Sequence, residues 1–221
     1  MRRVAVTMLA LVAFAAVAGC GGGGKSGPPD MLLHPEKLKA KAPQLYDVRF
    51  ETTKGSFTIG VHRTWAPKGA DRFYNLAKSG FFDGTKFFRV VPNFVVQFGI
   101  SPYPEVSNTW RNATIPDDFV TAHNVRGSIS FAAAGPDTRT TQVFINLGDN
   151  RRLDGSGFAP IGTVTEGMDV VDKLYSGYGE DPTSHQGEMQ LQGNSWLEQN
   201  YPKLDEIKSA KVVKESNPAL P

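Results

Sequence analysis

The chain has 221 residues, 40% hydrophobic and 21% charged, with a formal net charge of +2. These are ordinary globular proportions, with length for one sizeable core. Arg2 and Arg3 supply the excess charge, and without them basic and acidic residues balance at 22 each. No basic surface of the kind that binds nucleic acid is expected.

The first element is a targeting segment. MRRVAVTMLALVAFAAVAGC opens on two Arg, runs apolar from Val4 to Ala18 and closes on small residues. That is the layout of a secretory signal, here 1–19, and the apolar run is short for a membrane span. Its end, VAGC, resembles the bacterial lipobox, in which cleavage leaves the Cys as a lipidated first residue. Cys20 is the only cysteine, so an internal disulfide is excluded and lipidation gives the thiol a use. The alternative is ordinary cleavage after AVA, leaving a soluble exported protein. Residues 20–45 are expected to form a lipid-anchored flexible linker. GGGGKSGPPD is a Gly/Ser tether, and 31–45 reads as a poorly ordered, Pro-punctuated stalk with a short helical turn near 36–40.

Residues 46–221 hold the folded domain. YDVRFETTKGSFTIGVH alternates on both sides of Lys54-Gly55, which predicts a β-hairpin. APKGADRFYNLAKSG changes period; Pro67 near its start, Phe73, Leu76 and Ala77 on one face, and Gly80 at its end predict a helix. Strands are expected at 86–91, 93–99, 128–133, 142–147 and 161–164. A second helix is expected over 166–179, with Val170, Val171 and Leu174 inward. GYGEDPTSHQGE (177–188) reads as a surface loop. Trp196, Leu197, Leu204 and Ile207 fall at helical spacing, and a last strand is expected near 210–214. Many strands, two principal helices and Gly-rich turns predict a mostly antiparallel β-barrel with helical caps.

The familiar reactive constellations are missing. The four His residues are scattered without zinc-site spacing, and no G-x-S-x-G elbow or phosphate loop occurs. Asp117-Asp118 reads as a solvated pair. No metal or other cofactor is expected. One stretch stands out: FFRVVPNFVVQFG (87–99) places Arg89 and Gln97 among four Phe and four Val, although an unpartnered buried charge is very costly.

FFRVVPNFVVQFG, GSISFAAAGPDTRTTQVFIN and LDGSGFAPIGTVTEGMDVVD resemble, in that order, three signature blocks of the cyclophilins. These are peptidyl-prolyl cis-trans isomerases built as a closed eight-stranded antiparallel barrel capped by two helices. The resemblance spans about Tyr46 to Tyr175, leaving an extra C-terminal helical segment. It implies that Arg89 is the catalytic arginine, with Gln97 orienting it and Phe94 beside it. By the same match Val95, Phe131, Ala132, Ala133, Ala134, Gln142, Phe144, Leu153 and Phe158 meet the substrate. The chain departs from the pattern at Phe88, where His is frequent, at Ala133 for Asn, at Arg152 for Trp and at Phe158 for His. The segment before Phe158 is one residue longer. The Arg152 change implies weak cyclosporin binding.

The implied protein is a monomer, held to the cell-envelope membrane by its N-terminal lipid. It acts on X–Pro bonds in segments of exported client proteins. A competing reading is a non-catalytic module that binds proline-containing segments. A third gives the tail a docking role of its own through Trp196 and Tyr201, against the alternative that they pack on the barrel.

Overall fold

The computed structural model describes residues 27–217; the signal segment, Cys20 and the start of the glycine tether lie outside the described residues. Period-two alternation about Lys54-Gly55 folds as a hairpin. β1 (Leu45–Thr52) pairs antiparallel with β2 (Gly55–His62), and Phe50 sits opposite Phe57. Their rings stack with centroids 4.9 Å apart. Six further strands follow: β3 (Arg89–Val91), β4 (Val95–Phe98), β5 (Ser128–Phe131), β6 (Val143–Asn146), β7 (Pro160–Glu166) and β8 (Ile207–Ser216).

The eight strands form one sheet in the order β3-β4-β6-β5-β7-β2-β1-β8. Every neighbouring pair is antiparallel. The sheet curls until its two ends meet at a short seam rather than a full ladder. There Lys86 bridges Glu206, Phe87 N–H donates to Asp205 O (3.0 Å) and Ile207 N–H to Thr85 O (2.9 Å). The interior is aromatic: Phe50, Phe57, Phe73, Phe82, Phe87 and Phe98 are all buried.

Helix α1 (Pro67–Lys78) begins with Pro at its first position and buries Phe73, Leu76 and Ala77, as its spacing predicts. The expected second helix is shorter. Only Met168–Asp172 (α3) is helical, although Val171 and Leu174 are buried as expected. The chain leaves the helix at Lys173, and the Tyr175 amide donates to Asp205 Oδ2 at 2.7 Å instead of continuing the helix; beyond it Gly179 takes a left-handed φ of 53°. Helix α2 (Pro104–Trp110) was not legible in the sequence, because seven residues carry too little periodicity.

Two regions differ from expectation. The supposed stalk lies on the barrel: Leu32 and Ala42 are buried in the main core. Trp110 Nε1 donates to Leu32 O at 2.8 Å, and the Ala42 amide donates to Asp71 Oδ1 at 2.9 Å. Asp118, expected in solvent, is buried with Arg139; its Oδ2 accepts from Arg139 Nη1 at 3.1 Å and from the Gly69 amide at 2.8 Å.

Beyond α3 the chain continues through α4 (Gln186–Gln192) and α5 (Asn194–Asn200) before returning as β8. This extension has its own apolar cluster. Met189, Leu197, Tyr201 and Leu204 pack on Phe88 and Ile100 of the barrel, with Trp196 partly buried against them. Trp196 and Tyr201 therefore pack rather than project.

Candidate active site

The β3–β4 hairpin sets the site. Its turn runs Val91-Pro92-Asn93-Phe94, closed by Phe94 N–H donating to Val91 O at 3.0 Å. Proline presets φ and Asn tolerates the left-handed φ of 61° that the turn requires. The turn fixes the register Arg89–Gln97, Val90–Val96, Val91–Val95. Period two then sends Val90 and Val96 into the core and Arg89 with Gln97 to the opposite face. Gln97 lies across from Phe144 on β6, and Phe144 across from Ser130 on β5. One row of side chains, Arg89, Gln97, Phe144 and Ser130, thus crosses four strands outside the core.

Arg89 is half-buried: its side chain keeps 21% of its exposure. Nη1 donates to Gln97 Oε1 at 3.0 Å and Nη2 to Glu180 Oε1 at 2.8 Å. Its guanidinium carbon stands 5.2 Å from the centre of the Phe94 ring, close enough for a cation–π contact. A one-way relay follows. Gln97 Nε2 donates to Gln142 Oε1 (2.8 Å), Gln142 Nε2 to Gln186 Oε1 (2.9 Å), and Gln186 Nε2 to Thr183 O (3.3 Å). Because guanidinium has no acceptor, Gln97 must turn its oxygen toward Arg89, and each amide orients the next.

Beside Arg89 is a pocket of about 220 Å³, walled by Phe94, Val95, Ala132, Ala133, Phe144, Leu153 and Phe158, with Gln97, Thr183 and Gln186 at its polar side. Phe144 and Phe158 meet edge to face, 5.6 Å apart, a favoured geometry for buried aromatics. Leu153 rides on the 3-10 turn 151–156, which a buried polar cluster ties to the hairpin. Asn150 Nδ2 donates to Phe94 O and Asn146 Oδ1, both at 2.8 Å. Asn124 donates to Asp154 Oδ1 through its backbone and its side chain. Burial pushes the Asp154 carboxyl up, but the Asn124 and His123 hydrogen bonds outweigh it and hold the group below the usual range. An apolar slot of this size, edged by one cation held in place by an amide, has room for a pyrrolidine ring and a donor aimed at its amide.

The model of the family described as cyclophilin type peptidyl-prolyl cis-trans isomerase/CLD matches residues 47–193. The chain belongs to the cyclophilin family. A peptidyl-prolyl cis-trans isomerase of Acinetobacter baylyi is 35% identical over 162 residues, covering 71% of this chain and 79% of that one. Isomerase ppi1 of Schizosaccharomyces pombe is 35% identical over 136 residues, covering 58% and 84%. A crystal structure of a Cryptosporidium parvum cyclophilin superposes with a TM-score of 0.58 at 19% identity, covering 78% of this chain and 99% of that one. The same protein in the presence of the dipeptide Ala-Pro gives a TM-score of 0.55, also at 19% identity, covering 76% and 99%.

Most residues that the cyclophilin resemblance implies come together: Arg89, Phe94, Val95, Gln97, Ala132, Ala133, Phe144, Leu153 and Phe158 all line the one pocket. Phe131 does not. It shares a strand face with Ile129 and lies in the barrel core, 1% exposed, because its parity on β5 points it inward. Ala134 and Gln142 line the adjoining cleft beside Trp110, and Gln142 reaches the pocket only through the relay. Arg152 stands over Phe94 at 4.7 Å. The sequence reading missed Glu180, Thr183 and Gln186. They lie in a polar run without periodicity, and nothing short of the fold places them beside Arg89.

Proposed function

We propose that this cyclophilin isomerises X–Pro bonds with Arg89 as its catalytic donor, and that it does so on exported proteins. Rotation about the bond faces a barrier of about 18–20 kcal/mol, because twisting ends amide conjugation. As conjugation is lost, the prolyl nitrogen regains a lone pair. A fixed guanidinium can hydrogen-bond that nitrogen more strongly in the twisted state than in the planar one, and such differential binding is catalysis. Val95, Phe144, Leu153 and Phe158 would hold the ring while Phe94 and Gln97 hold the guanidinium. The observation that carries this reading is Arg89 tied to Gln97 at 3.0 Å at the edge of that pocket. A positioned donor of this kind is worth about 3–4 kcal/mol. Arg89→Ala should therefore lower kcat/KM on an X–Pro peptide by roughly 10²–10³-fold, read by a protease-coupled or NMR exchange assay. Equal rates for both proteins would reject Arg89 as the donor.

Location rests on the N-terminal sequence. The basic start, apolar run and VAGC ending support export with lipidation at Cys20, and more than one acyl chain on that residue would hold the domain near a membrane at the end of its glycine-rich tether. Cys20→Ser should shift the protein from the membrane to the soluble fraction; unchanged fractionation would exclude an anchor there.

A further inference from the structure

Glu180 lies beyond α3, in the extension rather than in any of the eight strands, yet its carboxylate ion-pairs with Arg89 at 2.8 Å. Its place is set by the chain behind it. Tyr201 OH donates to Asp181 Oδ2 at 2.7 Å, Thr183 N–H donates to Glu180 O at 2.9 Å, and Gln186 closes the amide relay. The carboxylate itself is open, with 56% of its side chain exposed.

That geometry creates a conflict and a use for it. A carboxylate on Nη2 offsets the positive charge that a prolyl nitrogen lone pair would meet, and it occupies one of the guanidinium's N–H groups. When Arg89 turns toward a bound peptide, Glu180 loses its cation. An exposed ion pair is weak enough to be exchanged, and a cation on the peptide can take the place of Arg89. An anion there would face Glu180 without compensation. Arg152, over the Phe94 ring, donates to Asn150 Oδ1 at 3.4 Å and takes part in no ion pair among the described residues, so the two sides of the site differ in charge.

We propose that Glu180 is a specificity-determining residue that pairs with a cationic side chain flanking the substrate proline, so that segments with Lys or Arg beside the isomerising bond are preferred. This rests on the isomerase reading above. The test uses the full chain and Glu180→Gln, with peptides of one length carrying Ala, Lys or Glu on either side of X–Pro. On one flank the wild type should give kcat/KM in the order Lys, Ala, Glu, with a Lys-to-Glu ratio of roughly three- to tenfold that shrinks with added salt. In Glu180→Gln that ratio should fall toward one. A Lys-to-Glu ratio unchanged by the substitution on both flanks would overturn the proposal, as would a wild-type preference for Glu on both. Turnover of the Ala peptide by wild type, and its loss in Arg89→Ala, tests the isomerase reading separately. If no peptide is turned over, affinities of the same peptides for the two proteins still read the charge selection.

Discussion

Gln97 shows how much one amide organises. It is 6% exposed, accepts from Arg89 and donates to Gln142. Gln97→Leu keeps similar bulk but leaves Gln142 Oε1 without its donor and frees one end of the guanidinium. A buried partner left unsatisfied costs about 1–3 kcal/mol. We expect a roughly tenfold loss of kcat/KM, the equivalent of about 1.4 kcal/mol in the barrier, together with a lower melting temperature. Gln97→Glu should retain more activity than Gln97→Leu, because a carboxylate still accepts from Arg89 while the relay to Gln142 is lost. Equal activity in the two variants would mean that Arg89 needs no acceptor at this position.

The extension is the element that separates this molecule from a bare barrel. Its cluster buries Phe88, the residue next to Arg89, so the docking of α4 and α5 and the shape of the pocket are linked. Tyr201 is the pin: its ring meets Tyr178 at 5.0 Å and its hydroxyl holds Asp181. Burial, and then the bond to the Asp181 carboxylate, push that hydroxyl up from 10.0 to about 12. The raised value means that the folded state holds the proton more tightly than the unfolded one. The Tyr201 contribution is complete below pH 10 and is lost as pH rises from 10 to about 12. A tyrosinate absorbance titration should contain one step near 12 that Tyr201→Phe removes. If the substitution leaves that step in place, the Tyr201–Asp181 bond is not the pin.

At the scale of the molecule, β8 closes the structure. It pairs with β1 from Thr52–Ile207 to Leu45–Ser216, buries Ile207 and Ala210 and adjoins the seam at Lys86–Glu206. Burying an Ile contributes about 1.5–3 kcal/mol and each ladder bond about 1 kcal/mol. Their sum is comparable to the 5–15 kcal/mol that separates a whole domain from its unfolded state. A chain ending at Leu204 should therefore lose its cooperative thermal transition and its near-ultraviolet circular dichroism. A sharp transition in that truncated chain would show that the other seven strands suffice.

Much of this arrangement could be read without coordinates where it depends on short-range pattern. Alternation about Lys54-Gly55 specified the first hairpin, Phe73-Leu76-Ala77 specified α1, and two valine-rich runs on either side of Pro92 specified the strands that carry Arg89 and Gln97. In each case the signal and the structure lie within about a dozen residues, and backbone sterics translate one into the other. The ordered blocks also brought nine implied residues to one pocket. Phe131 escaped that reading because its strand parity, and not its residue type, decides which face it meets. The packing of Leu32 and Ala42 on the barrel, the burial of Asp118 and the meeting of Glu180 with Arg89 were decided by tertiary structure alone. Glu180 and Arg89 are 91 positions apart. A carboxylate in a polar run carries no local mark of the cation it will face, because the partner is chosen by how the extension docks on Phe88 and Ile100.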